Sequence, residues 1–461
     1  MNVYLDAPEC KALVHFSYGR CIIKDSRGKE GQEEMRVNYQ YVSPVLREKM
    51  IQYRREFHRY PEVGWTEYRT SARIAEILES FGYEVYIGKD VCDEQTRMGV
   101  PEQEILIQCE QRALEENISQ SYIKKMEGGY TGVVGIIRGD CGKNVQAIRF
   151  DIDALPVCEV ETEKNKTYCS VHGEVMHACG HDGHIAAGLG LAEILSQNRE
   201  KIDGEIRLIF QPAEEECRGA ASIVRRGWLE GVSLFLSGHI GIQCREIGMV
   251  AACTGGFLAT TKLNIHFHGQ ASHAANAPEK GRNALLAAAV FTVNAYGISR
   301  SSEGDSRLNV GRFISGTGRN IISDSADLEV ETRGENEKVN IYMRDRVESI
   351  AKAAAQMYDV DCRIDRVGDV GTAKSDEELI KMCKTHLDFM GIGDKYIENG
   401  IFNASEDAVT MMNEVQKNGG KAAYFMFGTE LLGEHHQNRF DFNEDVLAIM
   451  AETYSRILLK K

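Results

Sequence analysis

Four short segments concentrate side chains that bind cations or move protons. Met176-His-Ala-Cys-Gly-His-Asp-Gly-His184 carries a thiol and three imidazoles just before an apolar helical pattern. Phe210-Gln-Pro-Ala-Glu-Glu-Glu216 ends an apolar run in consecutive carboxylates, His239 follows the run Leu234-Phe-Leu236, and His435-His436 stand beyond the apolar stretch that closes at Phe427. Imidazole, thiolate and carboxylate together suit borderline divalent ions such as zinc, manganese or cobalt. Cys179 and His181, two apart around a glycine, reach adjacent coordination positions on a tight loop, and a thiolate has lone pairs enough to bridge two ions. Neighbouring acids divide the labour, one binding metal while the other moves protons. A metal-activated water beside a carboxylate base is a recipe for amide hydrolysis.

These segments need a scaffold that brings them together. Continuous apolar runs predict buried strands over 131–137, 145–150, 205–210 and 234–236, with a last one over 422–427. Helical spacing falls between them, at 186–195 and 220–226. Strands alternating with helices imply an α/β fold, a mostly parallel sheet with helices on both faces. Three of the four segments then follow the carboxyl end of a strand, the edge where ligands collect in open α/β sheets. Residues 44–81 read as two helices broken around Tyr60-Pro61-Glu62-Val63-Gly64, and 102–126 as a charged helical insertion. Near Gly255-Gly256 the pattern changes. Strands at 262–268, 307–313, 327–331 and 361–367 and helices at 283–296 and 340–357 follow the β-α-β-β-α-β order of a ferredoxin-like α+β unit. The expected organisation is a poorly packed extension (1–35), a catalytic domain in two parts (36–255 and 369–461) and an inserted domain (256–368).

Each candidate also has a plainer reading. Cys179 and His239 are residue types that commonly sit satisfied in a core, and the acids at 214–216 suit a helix start by charge alone. The combination and its repeated strand-end placement favour chemistry. His184 is expected to pack or hydrogen-bond inside its helix, and Cys158 and Cys217 to belong to the core. Thirteen scattered cysteines with no CxxC pair read as reduced thiols rather than a disulfide framework. A net charge of −15 disfavours nucleic acid or an anionic membrane as partner. The longest apolar run, 284–291, is far short of the roughly 20 residues of a membrane span. Residues 1–20 lack the pattern of a secretory signal, so a cytoplasmic enzyme is expected.

At these residues the chain resembles metallopeptidase family 20, in the branch that holds hippurate, indole-acetyl-amino-acid and aminobenzoyl-glutamate hydrolases. MHACGHDGH, FQPAEE, SHAANAPEKGRNAL and HHQNRFDFNED carry the likeness, supported by RREFHRYPEVGWTEYRT, EGGYTGVVG, GFLATTK and ETRG, from about Pro44 to the C-terminus. The resemblance implies a zinc-peptidase-like catalytic domain, an inserted dimerisation domain, and two divalent ions per subunit. Cys179 would bridge them, with His181, Glu215, His239 and His436 completing the set. His436 is preferred to His435 for its His-x-x-x-Phe spacing with Phe440. Glu214 would be the general base and His273 an oxyanion donor, to its own site or to that of a partner. Asp151 and Asp153 would orient the ligands, and Asn320 and Arg333 would contact substrate. The implied substrate is an N-acyl amino acid, p-aminobenzoyl-glutamate being favoured over hippurate-like amides. A homodimer or a hetero-oligomer with a homologous subunit is implied, the chain being either the catalyst or a metal-bound non-catalytic subunit.

Overall fold

The computed structural model describes residues 37–460 and, before them, the backbone of four short strands. Those strands, Asn2–Tyr4, Leu13–Ser17, Arg20–Lys24 and Glu30–Gly31, form an antiparallel sheet in chain order. The expectation that residues 1–35 pack poorly otherwise lies outside the described residues.

Residues 39–461 form a second compact unit built on two sheets. The larger has eight strands in the order Tyr396–Ala404, Val250–Phe257, Lys421–Phe427, Val232–Ile240, Cys141–Asp151, Asp203–Gln211, Val133–Arg138, Glu84–Ile87. Its four middle members, from Lys421–Phe427 to Asp203–Gln211, run parallel to one another. Their carboxyl ends therefore share one edge, which gathers the segments after Asp151, Gln211 and Phe427 with the end of the strand that holds His239. Near-continuous apolar runs are what a strand covered on both faces requires. On one face lie helices Pro44–Arg59, His181–Gln197 and Asp445–Leu458; Ala408–Lys417 covers the other.

Local sequence fixes the helix that opens the site. Gly180 has φ 97°, a left-handed turn that a side chain resists, and the helix begins directly after it at His181. Residues 181–192 are buried all round, as expected of a helix apolar on every side. Helix Pro44–Arg59 begins with Pro at its first position, and the Ser43 hydroxyl accepts the Leu46 N–H at 3.1 Å.

The second sheet has four antiparallel strands in the order Ser306–Ser315, Ser325–Gly334, Ala259–His268, Asp361–Val370. Helices Ala284–Tyr296 and Glu337–Met357 pack on one face, over Leu263, Ile265, Phe267, Leu328 and Val330. Three strands carried no readable signal. Glu84–Ile87 is short and half exposed, Val250–Phe257 ends in two glycines before its last residue, and Tyr396–Ala404 is an edge strand interrupted by Asn399-Gly400. The charged insertion is two helices, Gln103–Glu115 and Gln120–Met126. Among the described residues no helix is long and apolar enough to cross a membrane.

A buried ion cluster locks the helices behind the site. Arg54, with no exposed surface, donates from Nε to Asp182 at 2.7 Å and lies 2.9 Å from Asp441 and 3.4 Å from Glu444. Asp182 also meets His58 at 2.8 Å, and His58 meets Glu159 at 3.0 Å. Burial alone would raise the Asp182 carboxyl, but the Arg54 charge and the His58 hydrogen bond hold it well below its usual range. Burial likewise opposes, and Arg54 outweighs it, at Asp441. Arg54→Met strands these carboxylates in the core and should cost about 3–5 kcal/mol, read as a lower apparent Tm at pH 7. Groups with depressed folded pKa values stabilise above their unfolded pKa, about 4, and lose that contribution as pH falls. The Tm gap between wild type and variant should therefore narrow below about pH 4; a gap constant with pH would place the effect elsewhere.

Candidate active site

Cys179, on the loop before helix His181–Gln197, lies 3.4 Å from His239 Nε2 through its Sγ. His239 sits at the end of its strand with Nδ1 2.9 Å from the Ile240 carbonyl. That hydrogen bond puts the proton on Nδ1 and turns the Nε2 lone pair toward Cys179. His181 repeats the device: Nδ1 donates to the Asp153 carbonyl at 2.8 Å, and Nε2, fully buried, has no hydrogen-bond partner. Glu215 Oε1 is also buried without a partner, 3.6 Å from His436 Nε2. Two groups of potential ligand atoms, each within 4.8 Å of one another, share the thiol: Cys179–His181–His239 and Cys179–Glu215–His436.

These residues fit a divalent cation. Two ligands on a tetrahedral ion with bonds of about 2.1 and 2.3 Å stand about 3.5 Å apart, and the 3.4 and 3.6 Å separations match. Two unpartnered buried lone pairs aimed into the same space are otherwise costly. Burial, then Glu215, pushes the Cys179 thiol well above its ordinary pKa; burial pushes Glu215 up to about 7. Burial, with Glu406 and Glu215 beside it, holds Glu214 well above the usual carboxylate range. A cation among these groups favours their ionised forms.

Other nearby imidazoles are already committed. His184 Nδ1 bonds the Asp151 carboxylate and its Nε2 accepts the Ile240 N–H at 3.0 Å. His435 Nε2 lies 3.1 Å from the Ile240 carbonyl. Asp151 is further paired with Arg149 at 2.7 Å and stays 3.8 Å from His181 Nε2, so it orients His184 directly. Asp153 instead holds the opposite segment, its carboxylate accepting the backbone N–H groups of Glu214 and Glu215 at 3.0 and 2.9 Å. Glu214 Oε2 is 4.0 Å from His181 Nε2.

The structure gathers Cys179, His181, Glu214, Glu215, His239 and His436, with Asp151 and Asp153 beside them. His273 and Asn320 form a separate exposed group on the inserted domain, where the Asn320 carbonyl accepts the Ala274 N–H at 3.0 Å. Arg333 makes a two-pronged pair with Glu331, at 2.9 and 3.0 Å, on its own strand.

Sequence reading did not find the supports of the 213–220 loop. Glu67 accepts the Ala213 N–H at 2.9 Å, and Asp407 accepts those of Gly219 and Ala220 at 3.0 and 2.9 Å. Asp407 and Glu406 also share Arg149, at 2.9 and 3.0 Å. The available signal was a Glu-Asp pair just beyond a strand end, hidden because that strand is the interrupted Tyr396–Ala404.

Fold and site define a class: a metal-dependent hydrolase with its centre at the carboxyl edge of a parallel sheet and a second sheet inserted in the chain. The profile of Peptidase family M20/M25/M40 matches residues 147–460. The first of two named components of p-aminobenzoyl-glutamate hydrolase from Escherichia coli (strain K12) is 40% identical over 419 residues, 90% of this chain and 96% of that one. Indole-3-acetyl-aspartic acid hydrolase of Enterobacter agglomerans is 40% identical over 420 residues, again 90% and 96%. The crystal structure of an aminobenzoyl-glutamate utilization protein from Klebsiella pneumoniae superposes with a TM-score of 0.78 at 36% identity, covering 90% of this chain and 96% of that one. The chain belongs to peptidase family M20/M25/M40 and is an amidohydrolase of that family.

Removing the Asp153 carboxylate frees two buried amides and the segment that bears Glu214 and Glu215. Asp153→Ala should weaken metal affinity about 10–100-fold, measured by competition with a chelating dye. Unchanged affinity would mean that Asp153 does not set the ligand geometry.

Proposed function

We propose that the protein hydrolyses the amide bond of N-acyl amino acids at a two-metal centre, with p-aminobenzoyl-glutamate as the favoured substrate. The observation that carries this reading is one thiol, Cys179, shared by two ligand groups while Glu214 stands beside them outside both. Cys179, His181, Glu215, His239 and His436 would hold two divalent ions, manganese or zinc, with cobalt an acceptable substitute. Bound there, the ions would polarise the scissile carbonyl and acidify the attacking water.

In this reading Glu214 takes the proton of the attacking water and delivers it to the nitrogen of the leaving amine. Its burial beside other carboxylates favours return of the proton once the carbonyl has been attacked. His273 accepts the N–H groups of Ala275 and Asn276 at Nδ1, both at 3.2 Å, which places its own proton on the exposed Nε2. That donor suits an oxyanion, offered to the site of a partner protomer with the neighbouring Asn320 as a second polar contact. The inserted domain would carry the dimer contact, in a homodimer or with a homologous chain; the Escherichia coli relative is itself named as one subunit of its enzyme, which supports the second arrangement. A cytoplasmic setting agrees with the reduced-thiol reading of the cysteines.

The two relatives at 40% identity are named for amides of glutamate and of aspartic acid, which supports an acidic amino acid as the leaving group. A broader aminoacylase reading has support in hippurate hydrolase of Campylobacter jejuni, 28% identical over 415 residues. Release of p-aminobenzoate from p-aminobenzoyl-glutamate, compared with release of glycine from hippurate, decides between them.

Glu214→Gln keeps the shape and removes the base. With metal content unchanged, turnover should fall by about 10²–10⁴-fold. Undiminished turnover would assign the base elsewhere, and no turnover by wild type with any of the three metals, with or without a homologous partner chain, would leave the non-catalytic subunit as the better reading.

A further inference from the structure

The polar face of the inserted sheet meets the catalytic loop at a cavity of ≈ 390 Å³ lined by Lys262, Asn264, Glu216, Arg218, Glu329 and Glu331, among others. Lys262 stands on strand Ala259–His268 with Glu331 and Gly368 as its two cross-strand neighbours. A β-carbon placed on Gly368 would lie 3.4 Å from Lys262 Cδ and 2.1 Å from the Glu216 carbonyl oxygen. Gly368 is therefore the gap through which the lysine side chain and the 214–217 loop approach each other. The Asp369 N–H reaches the Cys217 carbonyl at 3.4 Å, holding the two segments together at that point.

Charge pairing in this cavity leaves one cation over. Glu331 is taken by Arg333 at 2.9 Å, Glu329 by Arg312 at 2.8 Å, and Glu216 lies 3.9 Å from Arg218. The Lys262 ammonium makes no ion pair among the described residues. It is half-buried, and its charge is felt at Glu215, Cys217 and His436. A half-buried, unpaired ammonium beside a hydrolytic centre is a receptor for an anionic group.

We infer that Lys262 binds the side-chain carboxylate of the substrate's amino-acid portion and thereby selects acyl-glutamates and acyl-aspartates over neutral acyl amino acids. The inference rests on the acyl-amino-acid reading above and deepens it. The side-chain carboxylate is the better match than the α-carboxylate. Lys262 reaches the outer end of the loop, past Glu215 at Glu216, whereas the α-carboxylate is held one carbon from the scissile nitrogen. Arg333 acts at one remove in this arrangement, by keeping Glu331 off Lys262.

The test compares p-aminobenzoyl-glutamate with p-aminobenzoyl-glutamine, which keeps the shape and the α-carboxylate and loses only the side-chain charge. In the metal-loaded enzyme, Lys262→Met should raise KM for the glutamate substrate about tenfold or more, the loss of one charge-assisted contact, with kcat little changed. KM for the glutamine substrate should stay within about twofold, and Lys262→Arg should keep most of the preference. Calorimetry on the metal-loaded Glu214→Gln protein, with and without Lys262→Met, reads the same preference as a Kd and needs no turnover. Absence of cleavage by wild type would count against the proposed function alone, while the Kd values still decide the role of Lys262. Equal losses on both substrates, no loss on either, or a preference abolished by Arg333→Met but kept in Lys262→Met would each overturn the inference.

Discussion

The carboxylate of Asp153 accepts two backbone N–H groups from the loop bearing Glu214 and Glu215, while the carbonyl of the same residue accepts the Nδ1 proton of His181. One residue thus fixes the position of the carboxylate pair relative to the first imidazole of the cluster. Its own position follows from the strand Cys141–Asp151, which lies between two parallel neighbours. A ligand misplaced by an ångström is a poor ligand, and this bridge sets the distance across which a cation must be held. The ligand geometry depends on it more directly than on the hydrophobic core, which supplies the scaffold without choosing the register of the loop.

The loop it holds is not one the backbone prefers. Ala213, Glu216 and Cys217 have φ of 50°, 68° and 61°, and His436 has 66°. Left-handed geometry costs an L-residue about 1–2 kcal/mol, so residues 213–217 carry several kcal/mol of strain. Five N–H groups in residues 213–220 donate to the carboxylates of Glu67, Asp153 and Asp407. Hydrogen bonds to charged acceptors are worth about 1.5–3 kcal/mol each, enough to offset that strain. The acids are in turn crowded. Arg149 is shared among Asp151, Glu406 and Asp407. Burial, with Asp153 close by, pushes Glu67 up to about 8, and burial pushes Asp407 up to about 7 against the pull of Arg149. Concentrating so many carboxylates around one edge makes that edge a cation site by electrostatics as well as by geometry.

How much of this was legible in the sequence follows from which interactions are local. The middle strands were readable because a strand covered on both faces must be apolar throughout, as in Leu208-Ile-Phe210 and Leu234-Phe-Leu236. The gathering of Cys179, His181, Glu215, His239 and His436 was readable because ligand types recur at strand ends and a parallel sheet brings those ends together. The loop supports were not. Glu67 and Asp407 act on amides 146 and 188 residues away along the chain, and no spacing rule connects a carboxylate to a distant backbone N–H. Arg333 illustrates the converse. Its residue type suggested a carboxylate contact, and the fold supplies one from the next position but one on its own strand, Glu331.

Strand alternation explains why the inserted sheet contributes charge where it does. Leu263, Ile265 and Phe267 are buried under two helices, and a period of two then turns Lys262, Asn264 and His266 to the opposite face. A slip of one residue would exchange the sets, placing an ammonium in an apolar core. Ten consecutive pairs between Ala259–His268 and Ser325–Gly334 hold the register without a bulge. The position of Lys262 is thus set by what its neighbours bury. The cleaving groups belong to the catalytic sheet and the charged face to the inserted one, so changes on that face alter which amide is accepted while leaving untouched the residues that break it.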